Sequence, residues 1–249
     1  MADFTIQLAG IPIGITPLYP EIRKVFTDYL TDEPPLFSVA ASEEDLEAER
    51  AYAERTWAEA RSMPWTKLHL ETAFLLRVIA SRMPAYDTIL MHGSAVAADG
   101  RAYLFTAPSG VGKTTHTRLW LELVPGSYVL NGDKPFLKVL PDGKVLAYGV
   151  PWRGKEKLGR NESLPLEAIC LLERSETNRI TPVTAKDAMD SLIRQTNMPM
   201  EPSAMLKTLQ LLDRISGSIR LFRLGCNMDP EAALVSSEAM IPNKWKEKQ

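Results

Sequence analysis

Apolar and polar positions alternate through "FTIQLAG", residues 4–10, which predicts a strand. In "LYPEIRKVFTDYL", 18–30, Ile22, Val25, Phe26 and Leu30 recur at helical spacing and would share one face. "PPLFSVA", 34–40, reads as a second strand. Residues 42–62 open on Ser42 with Asp45 three places on, a helix start with acid in its first turn, and the pattern behind it is that of a mostly solvated helix. Residues 65–83 carry an apolar face wide enough for a packed helix, ended by Pro84.

From residue 86 the texture changes. "YDTILMH" is a short strand, and "GSAVAADGRAYLFTA" is two β-prone runs about Asp99-Gly100, a two-residue hairpin turn. A glycine loop and a helix, "KTTHTRLWLELV", follow. "SYVLNGDKPFLKVLPDGKVLAYGV" reads as three strands, the last two joined at Asp142-Gly143. "LEAICLLERS", "NRITPV" and "SIRLFRLG" are further strands. Helices fall near 185–196, 202–217 and in "DPEAALVSSEAM", where Pro230 suits the first turn. A soft boundary near 85 separates an N-terminal α/β segment, 1–85, expected to pack on the core, from the main domain, 86–249.

Composition removes several classes of function. The chain of 249 residues is 45% hydrophobic and 24% charged, with a net charge of −2, so bulk attraction to nucleic acid or an anionic membrane is not expected. "MADFTIQLAG" lacks the pattern of a signal peptide, and no run of about 18 apolar residues predicts a membrane span. Cys170 and Cys226 sit in apolar surroundings without C-x-x-C pairing, which reads as reduced core thiols and a cytoplasmic protein. Neither they nor the three histidines show zinc-ligand spacing.

The chemistry is concentrated in "FTAPSGVGKTTHTRLW", 105–120. Ser109, Gly110, Val111, Gly112, Lys113, Thr114 and Thr115 supply most of a phosphate-binding loop. Its glycines let the backbone curl, the helix start offers N–H groups and a positive dipole end, Lys113 reaches terminal phosphates, and Thr114 ligates Mg²⁺. The full pattern asks for glycine where this chain has Ala107. If φ there were positive, alanine would cost about 1 kcal/mol.

A β-hairpin feeding such a loop is unusual. Together, "MHGSAVA", "APSGVGKTT" and "YVLNGDKP" resemble the HPr kinase/phosphorylase family, whose catalytic domain shares its P-loop core with phosphoenolpyruvate carboxykinases. The resemblance covers roughly 86–175 and is nearest to small members outside sugar-phosphotransferase regulation. It implies an α/β core with a mixed, largely antiparallel sheet, ATP and Mg²⁺ as cofactors, and a hydroxyl acceptor. It also implies a His, here His92, touching a catalytic carboxylate, here Asp133. The family places two neighbouring acids after this strand; this chain has Gly132 and then Asp133.

Read from the residues alone, Asp133 lies 20 positions after Lys113 at a strand end, suited to ligate metal, act as base, or do both; "NGDKP" is equally turn chemistry. His92, 21 positions before Lys113, is either catalytic or a satisfied structural histidine. His116 is placed on the outer part of the helix after the loop. "GVPWRGKEKLGRN", 149–161, offers Arg153 and Lys155 to neutralise charge on a transferred phosphoryl group, or else is a solvated basic loop. Trp152 reads as core cover, and Met198, Met200 and Met205 as core filling more than a peptide surface.

The resulting expectation is an ATP-dependent kinase acting on a Ser/Thr or other hydroxyl of a peptide, protein or small molecule. The catalytic set is Asp133, His92, Arg153 and Lys155, with Thr114 and Asp133 on the metal. A nucleotide-binding accessory module without transfer, or a carboxykinase-like NTPase, is the alternative. No nucleic-acid or membrane partner is expected, and a homo-oligomer is compatible with the sequence.

Overall fold

The computed structural model describes residues 2–56 and 65–242. The chain divides into two compact units, Met1–Tyr86 and Asp87–Gln249.

In the first unit, β1 (Phe4–Leu8) and β2 (Ile11–Thr16) form a hairpin whose turn residues Ala9 and Gly10 have φ of 50° and 75°. The expected helix over 18–30 shrinks to α1 (Ile22–Val25) and a 3₁₀ turn, Thr27–Tyr29. Ile22 and Phe26 are buried as a shared face requires, but Leu30 is exposed and starts β3 (Leu30–Thr31) beside β1. β4 (Phe37–Ala40) joins β2 in parallel and completes a four-stranded sheet. Ser42 and Asp45 cap α2 (Glu43–Thr56) reciprocally: Ser42 Oγ accepts from Asp45 N at 3.2 Å, and Asp45 Oδ2 accepts from Ser42 N at 3.0 Å. Residues 57–62 of the helix expected there lie outside the described residues. Thr66 caps α3 (Lys67–Arg82), whose buried Glu71 accepts backbone N–H groups from Leu18 and Tyr19.

The second unit is a mixed α/β domain on a nine-stranded sheet. β5 (Thr88–Leu90) precedes the hairpin of β6 (Ser94–Ala98) and β7 (Arg101–Thr106), which pair antiparallel with Ala98 opposite Arg101. Asp99 and Gly100, at φ of 49° and 69°, close it in the backbone that right-twisted strands favour. α4 (Lys113–Leu123) follows the loop; then come β8 (Tyr128–Asn131), β9 (Phe136–Val139), β10 (Val145–Tyr148), β11 (Ser163–Arg174) and β12 (Arg179–Pro182). α5 (Ala185–Gln195), α6 (Pro202–Ser218), β13 (Arg220–Cys226) and α7 (Glu231–Met240) complete the unit. β11 runs parallel to both β7 and β13, while its first three residues pair antiparallel with β10. On the other side of β7 the order continues β6 and then β8, both antiparallel pairings.

Strand alternation divides the core in two. Tyr103, Phe105, Ala168, Cys170 and Phe222 face Trp120 of α4 and Ala233 and Met240 of α7. Ala102, Leu104, Ile169, Leu171 and Leu221 face Leu192 of α5 and Leu211, Leu212 and Ile215 of α6. Each such large side chain contributes about 1.5–3 kcal/mol by leaving water. Cys170 and Cys226 are free thiols, and burial pushes the Cys170 thiol up. Trp152 is buried, in keeping with core cover. Met200 and Met205 instead stand exposed, and only Met198 packs on the core. No helix among the described residues is long and apolar enough to cross a membrane.

His116 corrects an expectation. It lies on the inner side of α4, 2% exposed, with Nε2 3.0 Å from Ser236 Oγ and its ring edge-on to Phe105. Burial depresses its pKa from 6.5 to about 4. The unfolded chain therefore takes up a proton below pH 6.5 that the folded chain refuses until about pH 4, and stability falls as pH falls through that window. Each pH unit of the gap is worth about 1.4 kcal/mol, so the loss approaches about 3 kcal/mol at its foot. Urea unfolding of wild type and His116→Phe from pH 7.5 to 4 should give a clearly shallower slope for the variant, since the carboxylates common to both cancel. Parallel slopes would show that His116 titrates normally.

Candidate functional site

The loop 107–112 joins the C-terminal end of β7 to the start of α4. Gly110 and Gly112 take φ of 79° and 127°, a backbone that L side chains rarely adopt. Ala107 has no positive φ; it is buried in the core, so the expected strain is absent. No side chain hydrogen-bonds the N-cap of α4 at Gly112, and an uncapped helix start of this kind is suited to an anion. Lys113 turns back over the loop and donates to the carbonyls of Ala107 at 2.7 Å and Pro108 at 3.2 Å.

Three segments meet beside Lys113. Asn131, at the end of β8, accepts the N–H groups of Asp133 (3.0 Å) and Lys134 (2.7 Å) through Oδ1 and donates Nδ2 to the Val150 carbonyl at 3.0 Å. The turn reading of "NGDKP" therefore holds for Asn131, and that turn presents the Asp133 carboxylate. Gly93 N donates to the Asp133 carbonyl at 2.8 Å, and Thr106 Oγ1 donates to the His92 carbonyl at 2.7 Å, binding the start of β6 to β7 and to this turn.

His92 Nε2 lies 3.6 Å from Asp133 Oδ1, too long for a hydrogen bond, while Nδ1 is 2.9 Å from Gln195 Oε1. Burial, then the positive charge of Lys113, hold the His92 pKa below its usual value, so the ring is neutral near neutral pH. With Nδ1–H assigned to Gln195 by this network, a bare Nε2 faces the carboxylate. Two acceptors 3.6 Å apart form a place where an incoming proton is shared. Burial also lowers the Lys113 pKa, while the charge of Asp133 raises it and that of Lys134 lowers it, so the three charges act on one another.

The structure thus brings together Lys113, His92 and Asp133. It adds two residues that the sequence reading missed. Lys134 pairs with Asp133 Oδ2, and Gln195 positions His92 from 103 residues away. Only the adjacency of Lys134 to Asp133 left a trace in the sequence.

The basic loop splits. Backbone at Arg153 and Gly154 lies against Gly132 and Asp133: a Cβ on Gly132 would meet the Arg153 carbonyl at 2.9 Å, and one on Gly154 would meet Asp133 Cβ at 2.9 Å. Arg160 stacks over the Tyr128 ring at 3.7 Å, and Arg118 of α4 pairs with Glu156 at 2.7 Å. Lys155 stands exposed in the turn and is not among the residues that meet at Asp133. The packing at Gly132 also leaves no room for a second acid beside Asp133. A carboxylate placed there to restore the family's acid pair collides with two carbonyls, Arg153 at 2.9 Å and Leu158 at 3.3 Å, so Gly132→Asp should damage this turn.

Among the described residues no group of three or more His, Cys, Asp or Glu could hold a metal alone. Asp133 and Thr114 would offer Mg²⁺ one carboxylate and one hydroxyl, and Mg²⁺ is commonly held by one or two carboxylates together with substrate phosphates.

No family model matches the chain, and no curated protein matches it. Among solved structures, the HPr(Ser) kinase/phosphatase from Coxiella burnetii is similar over 60% of this chain and 93% of that one, at 10% identity and a TM-score of 0.36. A likeness that loose carries no functional argument.

Proposed function

We propose that the second unit is an ATP-dependent kinase that transfers the γ-phosphoryl group to a hydroxyl of a peptide, protein or small molecule. The observation that carries the reading is the meeting of Lys113 with His92 and Asp133 at the mouth of a glycine loop opening onto a helix start. Phosphoryl transfer asks mainly for positioning and charge neutralisation, with a base near the acceptor. The loop amides and Lys113 hold the phosphates. Asp133 and Thr114 would hold Mg²⁺, which neutralises charge on them. Asp133 takes the acceptor's proton and shares it with His92 Nε2, and Gln195 fixes that ring. The backbone of Arg153 supports the Asp133 turn.

The test is calorimetry with Mg²⁺ and ATP. Lys113→Ala removes a charge-assisted contact worth about 1.5–3 kcal/mol, so affinity should fall roughly 10- to 150-fold. Equal binding by both proteins would remove the site. One observation favours a second reading, a nucleotide-binding accessory module: Lys134 already occupies one oxygen of the only carboxylate at the turn. Tight ATP binding with no transfer to any hydroxyl would select it.

A further inference from the structure

Between β10 and β11 the chain makes a turn over 154–157 that is tied down on both sides of the candidate site. Gly154 lies on the Asp133 turn, where an added Cβ would stand 2.9 Å from Asp133 Cβ. Glu156 pairs at 2.7 Å with Arg118 of α4, the helix that starts at the glycine loop. Leu158 O then accepts from Gly132 N at 3.1 Å, and Arg160 N donates to Leu130 O at 3.0 Å, which returns the chain to β8. The turn thus spans from Asp133 to α4, and Lys155 stands between its two anchors. Arg118 is the fifth residue after Lys113, about 7.5 Å along α4 from the end that faces the phosphates, so the turn flanks the phosphate site and does not roof it.

Lys155 and Lys157 are both exposed, and neither makes an ion pair among the described residues. The carboxylate between them is taken by Arg118, so the turn presents two uncompensated ammonium groups at the edge of the site. A second observation sets Lys157 apart. Its φ is 53°, in the left-handed region that favours glycine, yet the position carries a long cation. Side chains held against their backbone preference in this way collect at ligand-binding segments.

We infer that Lys155 and Lys157 form the docking surface for an acidic peptide, the segment of the acceptor that carries the hydroxyl. The inference rests on the kinase reading and names the acceptor's chemistry. Asp133 fixes where that hydroxyl lies: its oxygen bonds to the γ phosphorus, the bond to ADP breaks, and its proton goes to Asp133. Lys155 follows the residue packed on Asp133, about 3.8 Å further along the chain, so its flexible stem sweeps the space beside the reacting hydroxyl. Lys157 lies farther out and meets a second carboxylate. Carboxylates on both sides of the hydroxyl are drawn to this edge, and a basic segment is repelled from it. The chain is exposed from 154 to 158, an open edge and not an enclosed pocket, which fits a length of peptide better than a small acid.

The experiment measures transfer from labelled ATP to two synthetic serine peptides, identical except that glutamates or lysines flank the serine on both sides. Wild type should use the glutamate peptide with a kcat/KM roughly five- to twentyfold higher, the worth of two exposed ion pairs, and the preference should shrink between about 50 and 500 mM salt. Lys155→Glu combined with Lys157→Glu should reverse the preference and leave ATP affinity, read by calorimetry, within about twofold of wild type. Lys157→Gly should lower use of the glutamate peptide about threefold with a urea midpoint no lower than that of wild type, since glycine suits the backbone there. Equal use of the two peptides by wild type, or an unchanged preference in the charge-reversed protein, overturns the docking surface while the kinase reading stands. A large fall in ATP affinity in that protein puts the lysines on the phosphates and overturns it as well. Transfer to free glycerate but to neither peptide overturns the peptide as occupant. ATP binding by wild type with transfer to no hydroxyl overturns the kinase reading and the surface with it.

Discussion

Asp133→Asn should slow phosphoryl transfer by about 10²–10⁴ and leave ATP affinity within a few-fold of wild type. The substitution keeps size and shape but removes the charge and the basic lone pairs. Asn131 still accepts the N–H groups of residues 133 and 134, and Gly93 still donates to the 133 carbonyl, so the turn keeps its backbone bonds. What disappears is the proton acceptor 3.6 Å from His92 Nε2 and the partner of Lys134. Single-turnover transfer from labelled ATP to an identified acceptor measures the loss. Full activity in the variant would move the base to His92, and Gln195→Ala would then become the sharper probe, since Gln195 fixes that ring.

Legibility in the sequence followed the range of the interaction. The Asp99-Gly100 hairpin, the Asp142-Gly143 turn between β9 and β10 and the glycine loop are local, and each lies where the sequence put it. β2 was missed because "IPIGIT" holds Pro12 and Gly14, which read as breakers. Gly14 is there because β4 packs on it: a Cβ would meet Ser38 Oγ at 2.5 Å. Over 18–30 the helical spacing was genuine for Ile22 and Phe26, but pairing of Leu30 with β1 ended the helix after one turn. The buried place of His116 depends on α7 delivering Ser236 from 120 residues away, which no local pattern reports. The same holds for Gln195 and Arg174, whose partners lie 103 and 64 residues distant. Lys113, His92 and Asp133 were visible as residue types at strand ends, but their meeting is a product of the sheet order β7-β6-β8.

Gly149→Ala should be the most damaging of the glycine substitutions. An alanine Cβ at 149 would stand 1.8 Å from the Arg160 carbonyl and 2.6 Å from the Leu130 carbonyl, against backbone that no rotamer change can move. Those carbonyls belong to the seam that builds the candidate site. Arg160 N donates to Leu130 O at 3.0 Å, Gly149 N donates to Glu162 O at 2.9 Å, and Gly132 N donates to Leu158 O at 3.1 Å. To admit one methyl group the 150–160 loop must lift from β8, and these bonds loosen together. Overpacking commonly costs 1–3 kcal/mol, and with backbone on both sides a loss of about 3 kcal/mol or more is expected. Gly217→Ala provides the control of opposite sign. It lies in α6, without positive φ and with nothing within 4 Å of an added Cβ, so alanine should stabilise by up to about 1 kcal/mol. Urea midpoints of the two variants, read with transfer activity, separate the outcomes. Gly149→Ala should lose stability and activity together, because Asn131 and Asp133 hang on the same seam, whereas Gly217→Ala should gain stability with activity unchanged. A Gly149→Ala protein as stable as wild type would mean that the loop over β8 yields without cost, and the rigid support assigned to Asp133 would fall with it.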